Sequence, residues 1–175
     1  MERSDSEVST VPEIRPEQTA DVAAIARITR LAFDRTTGEE VEIIACIRAS
    51  PQFIPQVSLV AEVDGQLAGH LLISLETLRH SDGQPTDHAV LMLGPVSVLP
   101  DFQHQGIGGA LIRRGLSICH SRPERVVTLF GHSEYYPRFG FRPARKFGML
   151  PAWDAAMVYP LRDDLSAFRG LHLPE

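Results

Sequence analysis

The sequence contains few of the residues that mark metal-binding, disulfide-rich or membrane-spanning proteins. Only two cysteines, Cys46 and Cys119, occur among its 175 residues, too few for a zinc framework or a disulfide scaffold. Both lie in apolar, helix-like segments, so we expect them to be buried, reduced thiols. No apolar run approaches the ~20 residues that cross a bilayer, and we expect no association with membranes.

A basic surface and a secretory signal are also missing. Acidic residues outnumber Lys and Arg by 22 to 17, which gives a formal net charge of −5. Because proteins that bind nucleic acid through phosphates need a concentrated basic surface, no nucleic-acid partner is expected. Residues 1–10 are polar and lack the apolar core of a signal peptide. We interpret them as a flexible tail, expect residues 11–175 to form a single domain, and expect a cytoplasmic protein.

The first third of the chain combines a strand pattern with two helical patterns. A short strand is expected at residues 11–15, followed by helices at about 19–32 and 39–48. Pro51 and Pro55 prevent the second helix from continuing. The positions expected to face the core from the first helix are Val22, Ile25, Ile28, Leu31 and Ala32.

The middle of the chain predicts a hairpin that leads into a buried central strand. Asp64-Gly65 separates two apolar runs, at 57–63 and 66–75, and both turn positions tolerate positive φ. After a polar loop at 79–88, residues 89–99 are apolar on both faces. Gly94-Pro95 interrupts this strand, so we expect a bulge or a splay there, because proline cannot donate a ladder hydrogen bond.

The remaining segments predict a helix and several further strands. The helix is expected at 106–119, with Ile107, Leu111, Leu116 and Ile118 inward and Arg113-Arg114 outward. Strands are expected at 125–130, from Phe141 onward and at 155–161, with one helical turn at 135–139. The resulting order predicts an α/β fold with a mixed central sheet of about six or seven strands, flanked by helices.

The segment most informative about function is the one where a strand ends and a helix begins among glycines, at 99–110. Helix N-termini expose unpaired N–H groups and the positive end of a dipole, and they therefore bind phosphates. Gly106 and Gly108 would let a diphosphate approach the backbone without interference from a Cβ atom. The pattern is neither the dinucleotide motif Gly-x-Gly-x-x-Gly nor a P-loop. Alone, it is equally explained by close packing of the strand on the helix.

Two segments resemble motifs of the GNAT superfamily of acyl-CoA N-acyltransferases. Gln103, Gly106 and Gly108 fill, in order, its motif A, Gln/Arg-x-x-Gly-x-Gly/Ala. About thirty residues later, the segment 136–141 (Tyr-Pro-Arg-Phe-Gly-Phe) resembles the Tyr-x-x-x-Gly-Phe element of the same fold. The longer Tyr-Tyr-x-Arg-Phe-Gly-Phe form, Leu-x-Pro-Val before motif A and Val-Ala-Glu-x-Asp-Gly in the hairpin are similar to the YhbS-like branch. The likeness extends over about residues 14–158.

The resemblance implies a GNAT fold, splayed at its central strand, that binds acetyl-CoA. Backbone N–H groups at 103–109 would hold the pyrophosphate, and the central strand would present its edge to the pantetheine. The N–H of Val98 would polarise the thioester carbonyl and stabilise the oxyanion formed when an amine attacks. The cofactor-binding residues implied in this way are Val96, Ser97, Val98, Gln103, His104, Gln105, Gly106, Ile107, Gly108 and Gly109.

The same resemblance implies a catalytic acid but leaves the base open. Tyr136 matches the tyrosine that protonates the departing CoA thiolate, and the adjacent Tyr135 is the alternative. Family members often use a glutamate on the central strand as general base, but residues 89–99 contain no acid. Glu76 and His132 are the leading substitutes. His88 and Glu134 are further candidates.

Together these features predict an N-acetyltransferase that transfers acetyl from acetyl-CoA to a primary amine in a ternary complex. The alternative is an acyl-CoA-sensing or regulatory module with the same cradle and no strong catalysis. Residues 31–48 and the loops at 79–88 and 146–154 are expected to determine the acceptor. The sequence identifies neither that acceptor nor the preferred acyl chain length, and it leaves open whether the chain forms a homodimer.

Overall fold

The computed structural model describes residues 11–33, 38–150 and 155–173. Three α-helices and seven strands lie in this part of the chain. The helices are α1 (Val22–Phe33), α2 (Glu39–Arg48) and α3 (Ile107–Cys119). The strands are β1 (Glu13–Pro16), β2 (Phe53–Val63), β3 (Gln66–Arg79), β4 (Pro85–Val98), β5 (Val126–Phe130), β6 (Arg142–Pro143) and β7 (Ala156–Pro160). None of the helices described is long and apolar enough to cross a membrane.

All seven strands form one mixed sheet in the order β1-β2-β3-β4-β5-β7-β6. Neighbouring strands are antiparallel except β4 and β5, which are parallel. The turn Asp64-Gly65 joins β2 to β3 with φ values of 50° and 78°, as the hairpin prediction requires. The structure therefore confirms the mixed α/β sheet of six or seven strands.

Helices cover both faces of the sheet. Successive side chains of a strand point to opposite faces, and in β3 Leu72 packs with Ile25 of α1 and Ile44 of α2. Leu71 belongs instead to the cluster that contains Leu111 of α3. Burial on both faces explains why the central strands are nearly continuous apolar runs.

The predicted inward face of α1 was partly wrong. Val22, the first residue of α1, is 36% exposed. Leu31 is 43% exposed, because 100° per residue rotates it past Ile28 and off the buried stripe. Thr29 is buried instead, and its hydroxyl lies 3.3 Å from the hydroxyl of Ser97. The buried residues of α1 are Ile25, Ile28 and Thr29.

Only one of the two cysteines is buried. Cys119 lies in the core beneath α3, and burial raises the pKa of its thiol to about 12. Cys46 is exposed on α2, which corrects the expectation of two buried thiols. In α3, Ile112 is buried and Ile118 is only partly so, again because the buried stripe is rotated from the predicted one.

The polar loop predicted at 79–88 is shorter, because β3 and β4 extend into it. Only residues 80–84 connect the two strands. The extension is stabilised by residues near the C-terminus: Arg79 and His172 exchange N–H···O bonds of 2.9 and 2.8 Å. Leu165, Phe168 and Leu171 bury their side chains in the same region.

The central strand is interrupted where the sequence predicted. Between Leu93 and Val96, β4 has one more residue than the facing part of β3, since Ile73 pairs with Leu93 and Leu71 with Val96. The bulge contains the cis peptide Gly94-Pro95. On the other side, β4 pairs with β5 only at Leu91 and Met92. Beyond these two pairs the parallel strands separate, which confirms the splay.

Candidate active site

A cleft of about 840 Å³ opens where β4 and β5 separate. Its lining comes from the end of β4, the turn into α3, the segment after β5, and the facing ends of α1 and α2. Ten residues predicted from the sequence line it: Val96, Val98, Gln103, His104, Gly106, Ile107, Gly108, Gly109, His132 and Tyr136. Three others, Ser97, Gln105 and Glu76, are not among the lining residues.

The helix α3 begins with a row of backbone amides that have no protein acceptor. Gly106 caps the helix with a φ of 85°, which glycine adopts without strain. No carbonyl or side chain in the described part of the chain accepts a hydrogen bond from the amides of 104–109. The next amide, that of Ala110, donates to the carbonyl of Gly106 at 2.9 Å. The free amides and the helix dipole together form a site suited to an anion.

Two glutamine side chains hold the turn that precedes these amides. The Nε2 of Gln103 donates to the carbonyl of Val98 at 3.1 Å, and the Nε2 of Gln105 donates to the carbonyl of Asp101 at 3.0 Å. Both side chains therefore stabilise the turn. The backbone amides that follow remain available to a ligand.

The main-chain groups of Val96 and Val98 face the gap beside β4. Leu99 donates its N–H to the carbonyl of Ala68 on β3 at 2.8 Å. Because N–H directions alternate along a strand, the N–H of Val98 points away from β3, toward the gap. Ser97 has the opposite orientation, with its main chain toward β3 and its hydroxyl buried beside α1.

The two tyrosines lie side by side at the cleft, with ring centroids 5.2 Å apart. The hydroxyl of Tyr135 lies near Gly108, where an added Cβ would be 3.8 Å from it. The ring of Tyr136 packs directly over Gly131, where an added Cβ would collide with it. Burial, followed by the neighbouring Tyr135, raises the pKa of the Tyr136 phenol. The phenol is therefore protonated at neutral pH, which is the form that a proton donor requires.

The base candidates occupy different places. His132 is exposed and lines the cleft together with Tyr136. Glu76 lies on β3 opposite Val90, before the strands separate, and burial raises the pKa of its carboxyl. His88 packs edge-on against Phe168, with ring centroids 5.3 Å apart. Glu134 is exposed and lies outside the lining. Only His132 is brought to the cleft.

Three charged residues of the cleft were not predicted as site residues, although Glu40 falls within the segment 31–48 that was expected to determine the acceptor, and Arg113 was expected to face outward. Glu40, in the first turn of α2, is the one Asp or Glu in the lining formed by the described residues. Arg113 lies over the ring of Phe139 at 5.5 Å, and Arg138 lies over the ring of Tyr135 at 4.5 Å. The spacing of four residues from Gly109 was the available signal for Arg113, because such positions share a helix face.

The structure has a splayed pair of parallel strands beside a helix with free N-terminal amides. This arrangement agrees with the class that the sequence resemblance implied, the CoA-dependent acyltransferases. A family model described as an acetyltransferase (GNAT) domain matches residues 13–144. The chain therefore belongs to the GNAT family of N-acetyltransferases. The Escherichia coli K12 protein YjhQ, described as an uncharacterized N-acetyltransferase, is 32% identical over 148 residues, which cover 85% of this chain and 76% of YjhQ.

Two solved structures share the fold. A GNAT family acetyltransferase from Brucella melitensis, in complex with acetyl-CoA, is 34% identical with a TM-score of 0.70, and the match covers 89% of this chain and 92% of that one. The GNAT family N-acetyltransferase YhbS from Escherichia coli, in complex with CoA, is 23% identical with a TM-score of 0.78, over 99% and 94% of the two chains. The likeness to YhbS is one of fold, and it agrees with the branch that the sequence motifs resemble.

Proposed function

We propose that the protein transfers an acetyl group from acetyl-CoA to a primary amine by direct attack in a ternary complex. The observation that carries the proposal is the row of unpaired amides at 104–109, which adjoins the gap beside β4. The Brucella relative in complex with acetyl-CoA supports this choice of cofactor. We assign the activity to residues 11–175 as one domain.

The cofactor is held by backbone groups in this proposal. The amides of 104–109 bind the diphosphate at the start of α3. Arg113 adds a positive charge nearby, since its Nη2 lies 3.2 Å from a Cβ built on Gly109. The pantetheine follows the open edge of β4. The N–H of Val98 then donates to the thioester oxygen, whose negative charge grows as the amine attacks.

Two side chains accept and donate protons in this proposal. His132 accepts the proton that the ammonium must lose before its nitrogen can attack. The nitrogen adds to the thioester carbonyl, the C–S bond breaks, and Tyr136 gives its phenolic proton to the departing thiolate. The second proton that the nitrogen loses on becoming an amide then restores the phenol of Tyr136. Proximity supplies much of the remaining rate enhancement, since the thioester is already reactive. Glu76 has no place in this scheme, because it lies outside the cleft lining.

Cofactor binding is tested by isothermal titration with acetyl-CoA. Gly108→Trp puts an indole between α3 and β4, where Val98 Cγ2 lies 3.6 Å from an added Cβ, and should abolish binding. Ser117→Trp, at an exposed position of the same helix, is the matched control and should bind normally. Wild-type protein that fails to bind millimolar acetyl-CoA would reject the proposal.

The second candidate function is an acyl-CoA sensor that binds the cofactor without transferring its acyl group. It is favoured by the lack of an acid at 89–99 and by the position of Glu76 outside the cleft. The two functions are separated by release of free thiol from acetyl-CoA in a screen of amines. A sensor binds acetyl-CoA but shows no amine-dependent thiol release with any acceptor.

A further inference from the structure

The charged residues of the cleft are divided between the two faces of the sheet. Arg113, on α3, lies on the face where the free amides begin, and Arg138 follows β5. The opposite side of the cleft is formed by the ends of α1 and α2, which contribute Ala32, Phe33 and Glu40. The cleft therefore offers positive charge to an anion at one end and a carboxylate to a cation at the other.

Glu40 lines the cleft from the first turn of α2. It is partly buried, and no residue in the described part of the chain forms a hydrogen bond or ion pair with its carboxylate. The helix that carries it is fixed in place, since Ile44 is buried in the core and Arg48 is bonded to Glu17. A carboxylate on a fixed helix is suited to select a ligand by charge.

We infer that Glu40 binds a second, non-reacting ammonium group of the acceptor, and that the acceptor is an aliphatic diamine or polyamine. The inference rests on the proposed acetyl transfer and names its substrate class. A carboxylate in contact with an amine stabilises the ammonium form of that amine. This effect suits a nitrogen that stays protonated. It would hinder the reacting nitrogen, which must lose a proton before it attacks. The apolar side chains of Ala32 and Phe33 line the same cleft as Glu40, and such surfaces suit the methylene chain between the two nitrogens.

The test compares two series of amines that differ only in the second charge. α,ω-Diamines with three to six carbons are titrated calorimetrically into CoA-loaded protein beside the amino alcohols of the same length. Wild-type protein should bind the best diamine about tenfold more tightly than its amino alcohol. Glu40→Gln should reduce this ratio to about twofold or less, and raising the salt concentration should reduce it in wild-type protein.

Glu39→Gln is the matched control. Glu39 lies in the same turn of α2, is exposed and is not part of the cleft lining, so this variant should keep the tenfold preference. Where turnover is measured, the ratio of kcat/KM between diamine and amino alcohol should change in the same way. A general base would behave differently, because its loss lowers kcat for both acceptors alike.

Failure of this inference is distinct from failure of the proposed function. Acetyl-CoA binding without preference for diamines, or no binding of any diamine, overturns the role of Glu40 and leaves the cofactor site intact. An equal loss of affinity for both amine series in Glu40→Gln also overturns it. Absence of acetyl-CoA binding rejects the acetyltransferase proposal, and the diamine titration on unloaded protein still reports whether Glu40 selects a dication.

Discussion

The carboxylate of Glu17 accepts two hydrogen bonds from the guanidinium of Arg48, at 2.6 and 3.0 Å. The hydroxyl of Ser58 also donates to it at 2.6 Å, and the Nε2 of His70 lies 3.2 Å away. Glu17 precedes α1, Arg48 ends α2, and the other two residues lie on β2 and β3. One carboxylate thus ties the helix pair to the sheet and fixes the helix that carries Glu40.

The protonation of His70 follows from its contacts. Ser58 has one hydroxyl proton, which it gives to Glu17, so Nε2 of His70 must carry a proton to interact favourably with both oxygens. Its Nδ1 is buried without a partner among the described residues. A second proton there would be an unsatisfied buried donor. Burial accordingly lowers the pKa of His70, although the hydrogen bond with Glu17 opposes this effect.

Replacing Arg48 with methionine should destabilise the fold. The methionine side chain would keep most of the apolar contact that the arginine makes, but it would leave the largely buried Glu17 carboxylate without its cation. We expect the free energy of unfolding in urea to fall by about 2–3 kcal/mol. Arg114→Met, on an exposed position of α3, should change it by less than about 0.5 kcal/mol. Equal stability of the two variants would show that the ion pair contributes nothing measurable.

The same carboxylate predicts a loss of stability in acid. Burial alone would raise the pKa of Glu17, but hydrogen bonds from His70, Arg48 and Ser58 outweigh it and lower the pKa from 4.5 to about 2. A carboxylate with a depressed pKa stabilises the fold above its unfolded-state pKa, and this contribution disappears as the pH falls through the folded-state value. The free energy of unfolding should therefore decline between pH 4.5 and 2.

Glu17→Gln is the control for this pH dependence. The variant should be less stable than wild type at about pH 6, and its stability should decline less steeply below pH 4.5, because it lacks the titrating group. Parallel curves for the two proteins would assign the acid sensitivity to other carboxylates. The lowered pKa of His70 adds a separate decline that begins below pH 6.5, and His70→Gln should remove it.

Much of the fold could be predicted because local chemistry determines it. Asp64-Gly65 specifies its hairpin, Gly94-Pro95 interrupts its strand because proline lacks an N–H, and the amides past Gly106 are free because a helix begins there. The extension of β3 through Arg79 could not be predicted, since its partner, His172, lies some ninety residues away in sequence. Long-range pairing of this kind leaves no local pattern.

The other features that could not be predicted also depend on tertiary structure. The exposed Leu31 differs from the buried positions of α1 only by its angle to a sheet that the sequence does not position. In the sequence, Glu40 is one of three acids in the first turn of α2. Only the tertiary structure shows that it is the one that lines the cleft. The backbone N–H of Gln103 was expected to face the pyrophosphate, whereas in the structure it donates to the carbonyl of Pro100 and the side chain donates to the carbonyl of Val98.

The two tyrosines should differ in their effect on turnover. Tyr136→Phe removes the proposed acid, so kcat should fall by about 10²-fold or more, with the affinity for acetyl-CoA retained. Tyr135→Phe is the matched variant and should keep kcat within about threefold, because Tyr135 is the neighbour that does not protonate the thiolate in our proposal. Steady-state kinetics and calorimetry on both variants test this. The reverse pattern would assign the acid to Tyr135.

Gly131 should be required for the position of the Tyr136 ring. A methyl group at Gly131 would collide with that ring and lie 3.3 Å from Leu129 Cδ1, so the ring must move away from its place over the backbone. We expect Gly131→Ala to lower kcat while acetyl-CoA binding persists. Adding Gly131→Ala to Tyr136→Phe should lower kcat no further, because the two changes act on one proton donor. Multiplicative losses in the double variant would mean that Gly131 affects turnover independently of Tyr136.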